Sequence, residues 1–234
     1  MIHGLGATAA VWGPMIELAA SHWAGRWIVL DLPGHGRSGR LKSYSIDDYV
    51  ATLEPILRGA DVLLGHSLGG VIAAALGPSV QPRAIFAMGV KVDWTAEELA
   101  RMRDLSQRPP RIFPTQEDAL SHHARLAGLP AQEDLSLLSG GLREIDGSWE
   151  AALDPCAFAI DPPDMSELVR ASPCRIRLAC GDRDPMVAVK RLQRIDAEAV
   201  SFENAGHNAM VEQPAAVWSW LSAASPTPLK EIVA

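Results

Sequence analysis

The sequence predicts an α/β fold in which a doubly wound, mostly parallel sheet is covered by helices on both faces. Short and nearly continuous apolar runs recur along the chain, as is typical of strands that are buried on both sides. Segments with helical periodicity follow these runs, and this alternation is typical of βα units. The length of 234 residues, 48% of them hydrophobic and 21% charged, suits a globular α/β protein.

Five strands are predicted, each bounded by turn residues: 26–32, 60–65, 84–90, 174–180 and 199–203. Ser45 and Asp48 form a capping-box pattern between the first two strands. The apolar residues that follow share one helical stripe, which predicts an amphipathic helix there. Pro214 is expected to begin the last helix, since proline is well tolerated in the first helical turn.

The βα pattern is interrupted between residues 91 and 164, where charged, helix-like pieces alternate with proline- and glycine-rich stretches. We expect a mainly helical cap over residues 91–164, inserted into a core formed by 1–90 and 165–234. The insertion contains seven basic and fourteen acidic residues and therefore carries the whole net charge of −7. A solvated helical surface explains this charge more simply than a role in substrate selection.

Charge and composition disfavour several classes of partner. A net charge of −7 repels nucleic acid and anionic membrane surfaces. No apolar run reaches the roughly 18 residues of a membrane span, and no basic signal-peptide region follows Met1. Cys156, Cys174 and Cys180 match no metal-ligand spacing, which favours free thiols in a reducing compartment. We expect a cytoplasmic protein, a monomer or a homodimer, without a metal site.

The most specific motif is G-x-S-x-G at residues 65–69, which lies between a predicted strand and a predicted apolar helix. A sharp strand-to-helix turn would lift the hydroxyl of Ser67 out of the sheet, and the flanking glycines would let neighbouring backbone pass close by. The first N–H groups of the helix point toward developing negative charge. Ser67 is therefore a candidate nucleophile, and the alternative is a glycine-rich turn without chemistry.

A serine hydroxyl needs a base, and the base needs a group that fixes its tautomer. Asp184 follows the predicted strand 174–180, and His207 follows the predicted strand 199–203. Both are expected at the carboxyl-terminal edge of the sheet, which also carries Ser67. Asp182 is the alternative acid.

Taken together, these motifs resemble those of the α/β-hydrolase family, in its cofactor-free serine-hydrolase branch. Residues 3–6 (His-Gly-Leu-Gly) are similar to the family's oxyanion loop, and residues 31–38 (Asp-Leu-Pro-Gly-His-Gly-Arg-Ser) to its turn after the fourth strand. Residues 65–69, 181–184 and 206–207 resemble its nucleophile elbow, acid loop and base loop. The matching motifs span nearly the whole chain outside the insertion.

The resemblance implies a role for each matching residue. His207 would take the proton of Ser67, and Asp184, selected over Asp182 by the family's Gly-x-x-Asp pattern, would hold the imidazole. The backbone N–H groups of Leu5 and Leu68 would bind the oxyanion. No cofactor is implied.

The start of the chain departs from the family pattern. Family members usually carry two or more strands before the His-Gly loop, whereas Met1 and Ile2 alone precede His3 here. Two residues cover about 7 Å, against about 17 Å for a typical strand. We expect a sheet that is continuous only at its carboxyl-terminal edge, with the opposite end open or filled by a partner chain or by the apolar residues Leu229, Ile232 and Val233.

A serine at the elbow argues against haloalkane dehalogenases and epoxide hydrolases, whose chemistry needs a carboxylate nucleophile. The function expected from the sequence is hydrolysis of small or medium carboxylic esters through an acyl-enzyme on Ser67. Trp12 and Trp94 are candidate walls of an apolar substrate pocket, although such residues more often belong simply to the core.

Three alternative functions stay open. Residues 206–209 with Glu212 and Pro214 also resemble the MenH-like synthases, which use the triad to eliminate pyruvate. Those enzymes would require arginines near the elbow, where this chain has Val71, although the insertion offers Arg101, Arg103, Arg108 and Arg111. A carbon–carbon bond hydrolase is the second alternative. A ligand-sensing receptor of the same fold with slow turnover is the third.

Overall fold

A computed structural model of the chain describes residues 1–23, 25–129, 135–138 and 140–224. The strands are β1 (Val62–His66), β2 (Ala84–Met88), β3 (Ile112–Phe113), β4 (Leu142–Ile145), β5 (Ser148–Ala151), β6 (Arg175–Gly181) and β7 (Val200–Phe202). The α-helices are α1 (Gly13–Ala19), α2 (Ile46–Leu57), α3 (Leu68–Val80), α4 (Ala96–Ser106), α5 (Gln116–Leu126), α6 (Met165–Ala171), α7 (Val189–Leu192), α8 (Ala209–Glu212) and α9 (Pro214–Ala224). Short 3₁₀ turns cover Ala9–Trp12, Leu135–Leu138 and Pro155–Phe158. Over these ranges, no helix is both long enough and apolar enough to cross a bilayer.

The central sheet consists of four parallel strands in the order β1-β2-β6-β7. The register of β1 and β2 runs from Val62 opposite Ala84 to His66 opposite Met88. These four strands correspond to the last four that the sequence predicts, so the mostly parallel sheet is confirmed. Their carboxyl ends lie at one edge, where the loops after β1, β2, β6 and β7 meet.

Helices pack on both faces of this sheet. Ile85 and Ala87 of β2 belong to a buried cluster that includes side chains of α2 and α3, whereas Phe86 and Met88 belong to a second cluster that includes side chains of α1 and α9. Successive side chains of a strand point to opposite faces, so each face of β2 has its own helical layer. The doubly wound arrangement is therefore confirmed.

Two helix starts follow the sequence signals. The Asp48 N–H donates to Ser45 Oγ at 3.1 Å, and the Ser45 N–H donates to Asp48 Oδ2 at 2.9 Å, which completes the capping box before α2. α9 begins at Pro214, as predicted.

Residues 26–32 do not form the predicted strand. Leu30 makes a single parallel bridge with Ile2, which also bridges Gly65 on its other side. The Ile2 N–H donates to the Leu64 carbonyl at 2.9 Å, and the His66 N–H donates to the Ile2 carbonyl at 3.0 Å. A strand needs a neighbour along its length, and Ile2 supplies one residue of ladder. The prediction of a strand at 26–32 is wrong for this reason.

On the amino-terminal side of Ile2, the two flanking segments enclose a cavity of about 280 Å³. Its walls include the side chains of Trp27, Leu57, Trp218 and Leu221 and the β1 residues 62–64. Ile2 therefore links the segment around Leu30 to β1 only at the carboxyl-terminal edge of the sheet, as expected, and the cavity separates the two at the opposite end. Leu229, Ile232 and Val233, which the sequence suggested as a filler, lie outside the described residues.

The insertion at 91–164 contains more strand than the sequence suggested. Besides α4 and α5, it holds a separate antiparallel sheet in the order β3-β5-β4. β4 and β5 are joined by Asp146 (φ 48°) and Gly147 (φ 77°). An Asp-Gly pair with positive φ at both positions is the signature of a tight hairpin, and this was the overlooked sequence signal. The expectation of little strand in this segment is therefore wrong, although α4 and α5 together still contain more of its described residues than the three short strands do.

Candidate active site

Ser67 lies at the turn between β1 and α3. Its backbone has φ 51° and ψ −118°, a conformation that costs energy for a residue with a Cβ. The Ser67 N–H donates to the carbonyl of Met88 at 2.8 Å, which ties the turn to the end of β2. The strained geometry of a nucleophile elbow is therefore present at the serine that the motif selects.

Two glycines of the motif are required by close backbone contacts. A Cβ on Gly65 would lie 2.1 Å from the carbonyl oxygen of Gly69. A Cβ on Gly69 would lie 2.2 Å from the carbonyl oxygen of Ile2. Both distances are far below van der Waals contact, so the tight strand-to-helix turn can form only with glycine at these positions.

His207 and Asp184 meet at the same edge of the sheet. Asp184 follows β6 and His207 follows β7, and His207 Nδ1 lies 2.8 Å from Asp184 Oδ2. The Asp184 side chain is fully buried, and that of His207 is 11% exposed. An ionised carboxylate only accepts hydrogen bonds, so Nδ1 carries the proton and Nε2 is left free to act as a base.

Asp184, and not Asp182, is the carboxylate that contacts the imidazole. Its Oδ1 accepts hydrogen bonds from the N–H groups of Met186 at 2.8 Å and Val187 at 3.2 Å, which orient Oδ2 toward His207. Asp182 is exposed, and its Oδ1 instead accepts from the Ala205 N–H at 3.2 Å. Asp182 therefore braces the acid loop against the segment that leads to His207.

The loop at residues 3–6 lies against the elbow. His3 is fully buried; its Nε2 accepts from the Leu32 N–H at 2.8 Å, and its Nδ1–H donates to the Gly4 carbonyl at 2.8 Å. A Cβ on Gly4 would lie 3.1 Å from the Cβ of Ser67. Leu5, the next residue, is half-buried and packs on the core.

The two proposed oxyanion donors are backbone groups near Ser67. Leu68 is the first residue of α3, a position whose N–H has no intrahelical acceptor. Within the described ranges, the N–H of Leu5 has no hydrogen-bond acceptor. Unpaired N–H groups are what the stabilisation of an oxyanion requires.

Three further residues hold the base loop, and the sequence pattern did not assign them this role. Glu212 accepts from the N–H groups of Gly206 at 2.7 Å and Asn208 at 3.2 Å, one on each side of His207. His66 Nε2 lies 2.9 Å from the carbonyl oxygen of His207. Asn208 Nδ2 donates to carbonyl oxygens at the end of α5. The base loop is thus held by α8, by the elbow and by the insertion.

The carboxyl end of α5 touches both arms of the site. Asn208 Nδ2 reaches the carbonyls of Ala127 at 3.2 Å and Gly128 at 2.8 Å. On the other arm, a Cβ on Gly6 would lie 2.7 Å from the Leu126 carbonyl. This part of the insertion therefore packs directly on the loops that flank Ser67.

The two candidate tryptophans have different surroundings. Trp12 is fully buried in the core cluster that includes α1 and α9. Trp94 lines a cavity of about 490 Å³ between the two ends of the insertion and α7, and the Lys91 ammonium lies 5.0 Å from its ring centre. For Trp12, complete burial in a packed core accounts for the residue without a substrate contact.

Burial keeps several histidines around the site neutral. Burial lowers the pKa values of His3 and His66 well below the ordinary value and those of His35 and His123 to about 4. Burial also raises the pKa of the Cys180 thiol to about 11, so this cysteine stays protonated at neutral pH.

No group of three or more His, Cys, Asp or Glu side chains is arranged to hold a metal ion in the part of the chain that the structure describes. The chemistry available at the sheet edge is therefore argued from the serine, imidazole, carboxylate and peptide groups themselves.

The fold and this geometry define a class: an α/β protein with a serine on a strained strand-to-helix turn and an imidazole–carboxylate pair at the same sheet edge. Residues 1–220 match the sequence profile of the Alpha/beta hydrolase family. Since the match covers most of the chain, the protein belongs to the α/β-hydrolase family.

Two curated relatives match over nearly their full lengths. A pimeloyl-[acyl-carrier protein] methyl ester esterase of Klebsiella pneumoniae is 24% identical, and a 2-succinyl-6-hydroxy-2,4-cyclohexadiene-1-carboxylate synthase of Salmonella paratyphi A is 26% identical. Each match covers 92% of this chain and 88% of the relative. Among solved structures, an esterase of Mycobacterium tuberculosis shares the fold, with a TM-score of 0.77 and 24% identity over 97% of this chain and 83% of that one.

Proposed function

We propose that the protein hydrolyses small or medium carboxylic esters through an acyl-enzyme on Ser67. The observation that carries this proposal is the 2.8 Å contact of His207 with the buried Asp184 at the edge that bears the strained Ser67. Membership in the α/β-hydrolase family and the likeness to a methyl ester esterase support the same class of reaction.

In the proposed mechanism, His207 Nε2 takes the proton of Ser67 as its oxygen attacks the ester carbonyl. Asp184 keeps the Nδ1–H tautomer and stabilises the imidazolium that forms. His207 then gives the proton to the leaving alcohol, which leaves Ser67 acylated. A water molecule, deprotonated by His207, attacks the acyl-enzyme and releases the acid.

The oxyanion of each tetrahedral intermediate would be bound by the N–H groups of Leu5 and Leu68. Preorganised donors of this kind contribute about 3 kcal/mol each to transition-state stabilisation. The fully buried His3 supports this role, because its bond to the Gly4 carbonyl fixes the loop that presents Leu5.

We also propose that residues 91–164 act as a cap that selects the substrate. The packing of the end of α5 on Gly6 and Asn208 supports this, since it places that segment against the loops on both sides of Ser67. Changes that line the cap should alter acyl-chain preference more than they alter the chemistry.

A panel of p-nitrophenyl esters of rising acyl length tests the function. We expect turnover that depends on acyl length and that disappears in Ser67→Ala. Equal rates for the wild type and Ser67→Ala would contradict the proposal. Tight ligand binding without turnover would favour a receptor of the same fold.

A second candidate is a synthase that eliminates pyruvate, favoured by the 26% identity with the Salmonella synthase over 92% of this chain. Such a reaction would need cations for a multiply anionic substrate. Arg101, Arg103, Arg108 and Arg111 are all exposed, which favours the esterase. Release of pyruvate from the substrate of that synthase, measured with lactate dehydrogenase, would instead support the second candidate.

A further inference from the structure

His66 is adjacent to the candidate nucleophile in the chain and in contact with the candidate base. It directly precedes Ser67 in the chain, and its side chain is buried, the residue being 2% exposed. The centre of its ring lies 4.6 Å from that of His207, with an interplanar angle of 61°. The two imidazoles thus make an edge contact although 141 residues separate them in the sequence.

The hydrogen bond of His66 fixes its tautomer. Its Nε2 lies 2.9 Å from the main-chain carbonyl oxygen of His207, which can only accept, so Nε2 carries the proton. Its Nδ1 is buried and has no partner in the described ranges. Burial and the neighbouring His207 lower the pKa of His66, which keeps the ring neutral beside a base that must become positively charged.

Two glycines close around the His66 ring. A Cβ on Gly4 would lie 2.9 Å from His66 Nδ1, and a Cβ on Gly89 would lie 3.2 Å from His66 Nε2 and 3.3 Å from His207 Cε1. The ring therefore fills a slot between the oxyanion loop and the turn after β2. A ring in such a slot cannot change rotamer without moving one of these loops.

The contact of His66 with the base loop differs from that of Glu212. Glu212 holds the N–H groups of the residues on either side of His207. His66 holds the carbonyl of His207 itself and touches its imidazole. Of the two, the contact of His66 is therefore the one that can set the orientation of the His207 imidazole.

We propose that His66 is a positioning residue: the hydrogen bond from its Nε2–H to the His207 carbonyl holds the His207 peptide, so that the imidazole is oriented with Nε2 of His207 facing Ser67. This inference rests on the proposed function, because it assigns His207 as the base. The competing view is that the His66 ring only fills space in the elbow.

Two amide variants separate these views. In His66→Gln, the side-chain nitrogen stands near the position of His66 Nε2 and can still donate to the His207 carbonyl. In His66→Asn, the same amide is one methylene shorter and does not reach it. We expect His66→Gln to keep kcat within about threefold of the wild type and His66→Asn to lose about tenfold or more, with KM within twofold in both, since misplaced catalytic groups reduce the rate of the chemical step.

A second readout does not depend on turnover. A proton held between His207 Nδ1 and Asp184 gives a downfield imidazole NMR resonance, assigned by its loss in His207→Gln. We expect this resonance to persist in the wild type and His66→Gln and to broaden by exchange in His66→Asn. If the wild type hydrolyses no ester, the proposed function fails, but the NMR comparison still decides the role of His66.

Equal kcat values and equal resonances in the two amide variants would overturn the proposal, because a space-filling role does not distinguish them. A parallel rise in KM without a fall in kcat would also overturn it. If His66→Asn does not fold, His66→Phe replaces it, since phenylalanine keeps the ring but lacks the donor. A His66→Phe protein with wild-type kcat and an unchanged resonance would then refute the role.

Discussion

The two edges of the central sheet differ in how the chain closes them. At the carboxyl-terminal edge, Ile2 is hydrogen-bonded to Leu64 and His66 of β1 and bridges Leu30. At the amino-terminal edge, the same two segments surround a cavity of about 280 Å³. Ile2 thus bridges these two segments at the end of the sheet that carries Ser67, whereas a cavity separates them at the other end.

The two edges also differ in how tightly the chain is packed. The loops at the carboxyl-terminal edge approach one another so closely that Gly4, Gly65 and Gly69 have no room for a side chain. Such packing holds catalytic groups in place, whereas an open edge affects only the stability of the sheet. Substitutions at the two edges should therefore have separable effects on rate and on stability.

The largest effect is expected at the nucleophile. Ser67→Ala should lower kcat/KM by about 10⁶-fold, because removal of a serine nucleophile leaves only binding and oxyanion stabilisation. The midpoint of urea unfolding should stay close to that of the wild type, since the side chain ends at the surface of the sheet edge. A large loss of stability with retained activity would contradict the prediction that substitutions at this edge affect the rate and not the stability.

The next largest effect is expected at Asp184, and it should distinguish this residue from Asp182 in the same loop. Asp184→Asn should lower kcat by about 10⁴-fold, because the amide donates to Nδ1 and forces the wrong imidazole tautomer. Asp182→Asn is the matched control and should retain kcat within about threefold, since Asp182 contacts the Ala205 N–H and not the imidazole. Equal losses in the two variants would contradict the assignment of Asp184.

Residues that belong to local motifs could be located from the sequence. Ser67 is defined by glycines two residues away on either side, and Asp184 and His207 each lie in the loop that follows a recognisable strand. By contrast, His66 acts on His207 across 141 residues and Asn208 acts on Gly128 across 80. No local pattern encodes contacts of that range, so these roles emerged only from the folded chain.

The errors in the predicted secondary structure have a related cause. Residues 26–32 have the apolar character of a strand, but a strand also needs a neighbour, and Ile2 provides a single bridge. β3 is two residues long, Ile112–Phe113, and pairs with β5, so it carries no periodicity of its own. Sequence character thus determined which segments prefer strand geometry, and pairing determined which of them became strands.

Acid should destabilise the fold through the buried His123. His123 on α5 is buried, neither ring nitrogen has a partner within the described ranges, and burial together with nearby His35 and His122 lowers its pKa to about 4. Between the unfolded value near 6.5 and pH 4, the unfolded chain binds more protons, so stability falls as the pH falls. We expect this residue to account for about 2 kcal/mol of lost stability at pH 5.

The control for this prediction is His123→Leu, which removes the titrating ring without removing a hydrogen bond. Urea unfolding gives the free energy of unfolding at pH 7.5 and at pH 5. Its decrease between these two pH values should be about 2 kcal/mol smaller in the variant than in the wild type. His35, whose pKa burial also lowers to about 4, should leave part of the acid sensitivity in place. Identical losses in the two proteins would show that His123 does not become protonated on unfolding.

The last comparison makes the same substitution, valine to isoleucine, at both edges. Val62 lines the cavity at the amino-terminal edge, whereas Val90 is fully buried beyond β2, where a Cβ on Gly70 would lie 2.6 Å from its Cγ2. Val62→Ile adds a methylene group to free space and should stabilise by up to about 0.8 kcal/mol, or about 2 °C in Tm. Val90→Ile adds the same group to a filled site and should cost about 1–3 kcal/mol. Calorimetry of the two variants should therefore give Tm shifts of opposite sign. Equal downward shifts would mean that the amino-terminal edge is packed as tightly as the edge that carries Ser67.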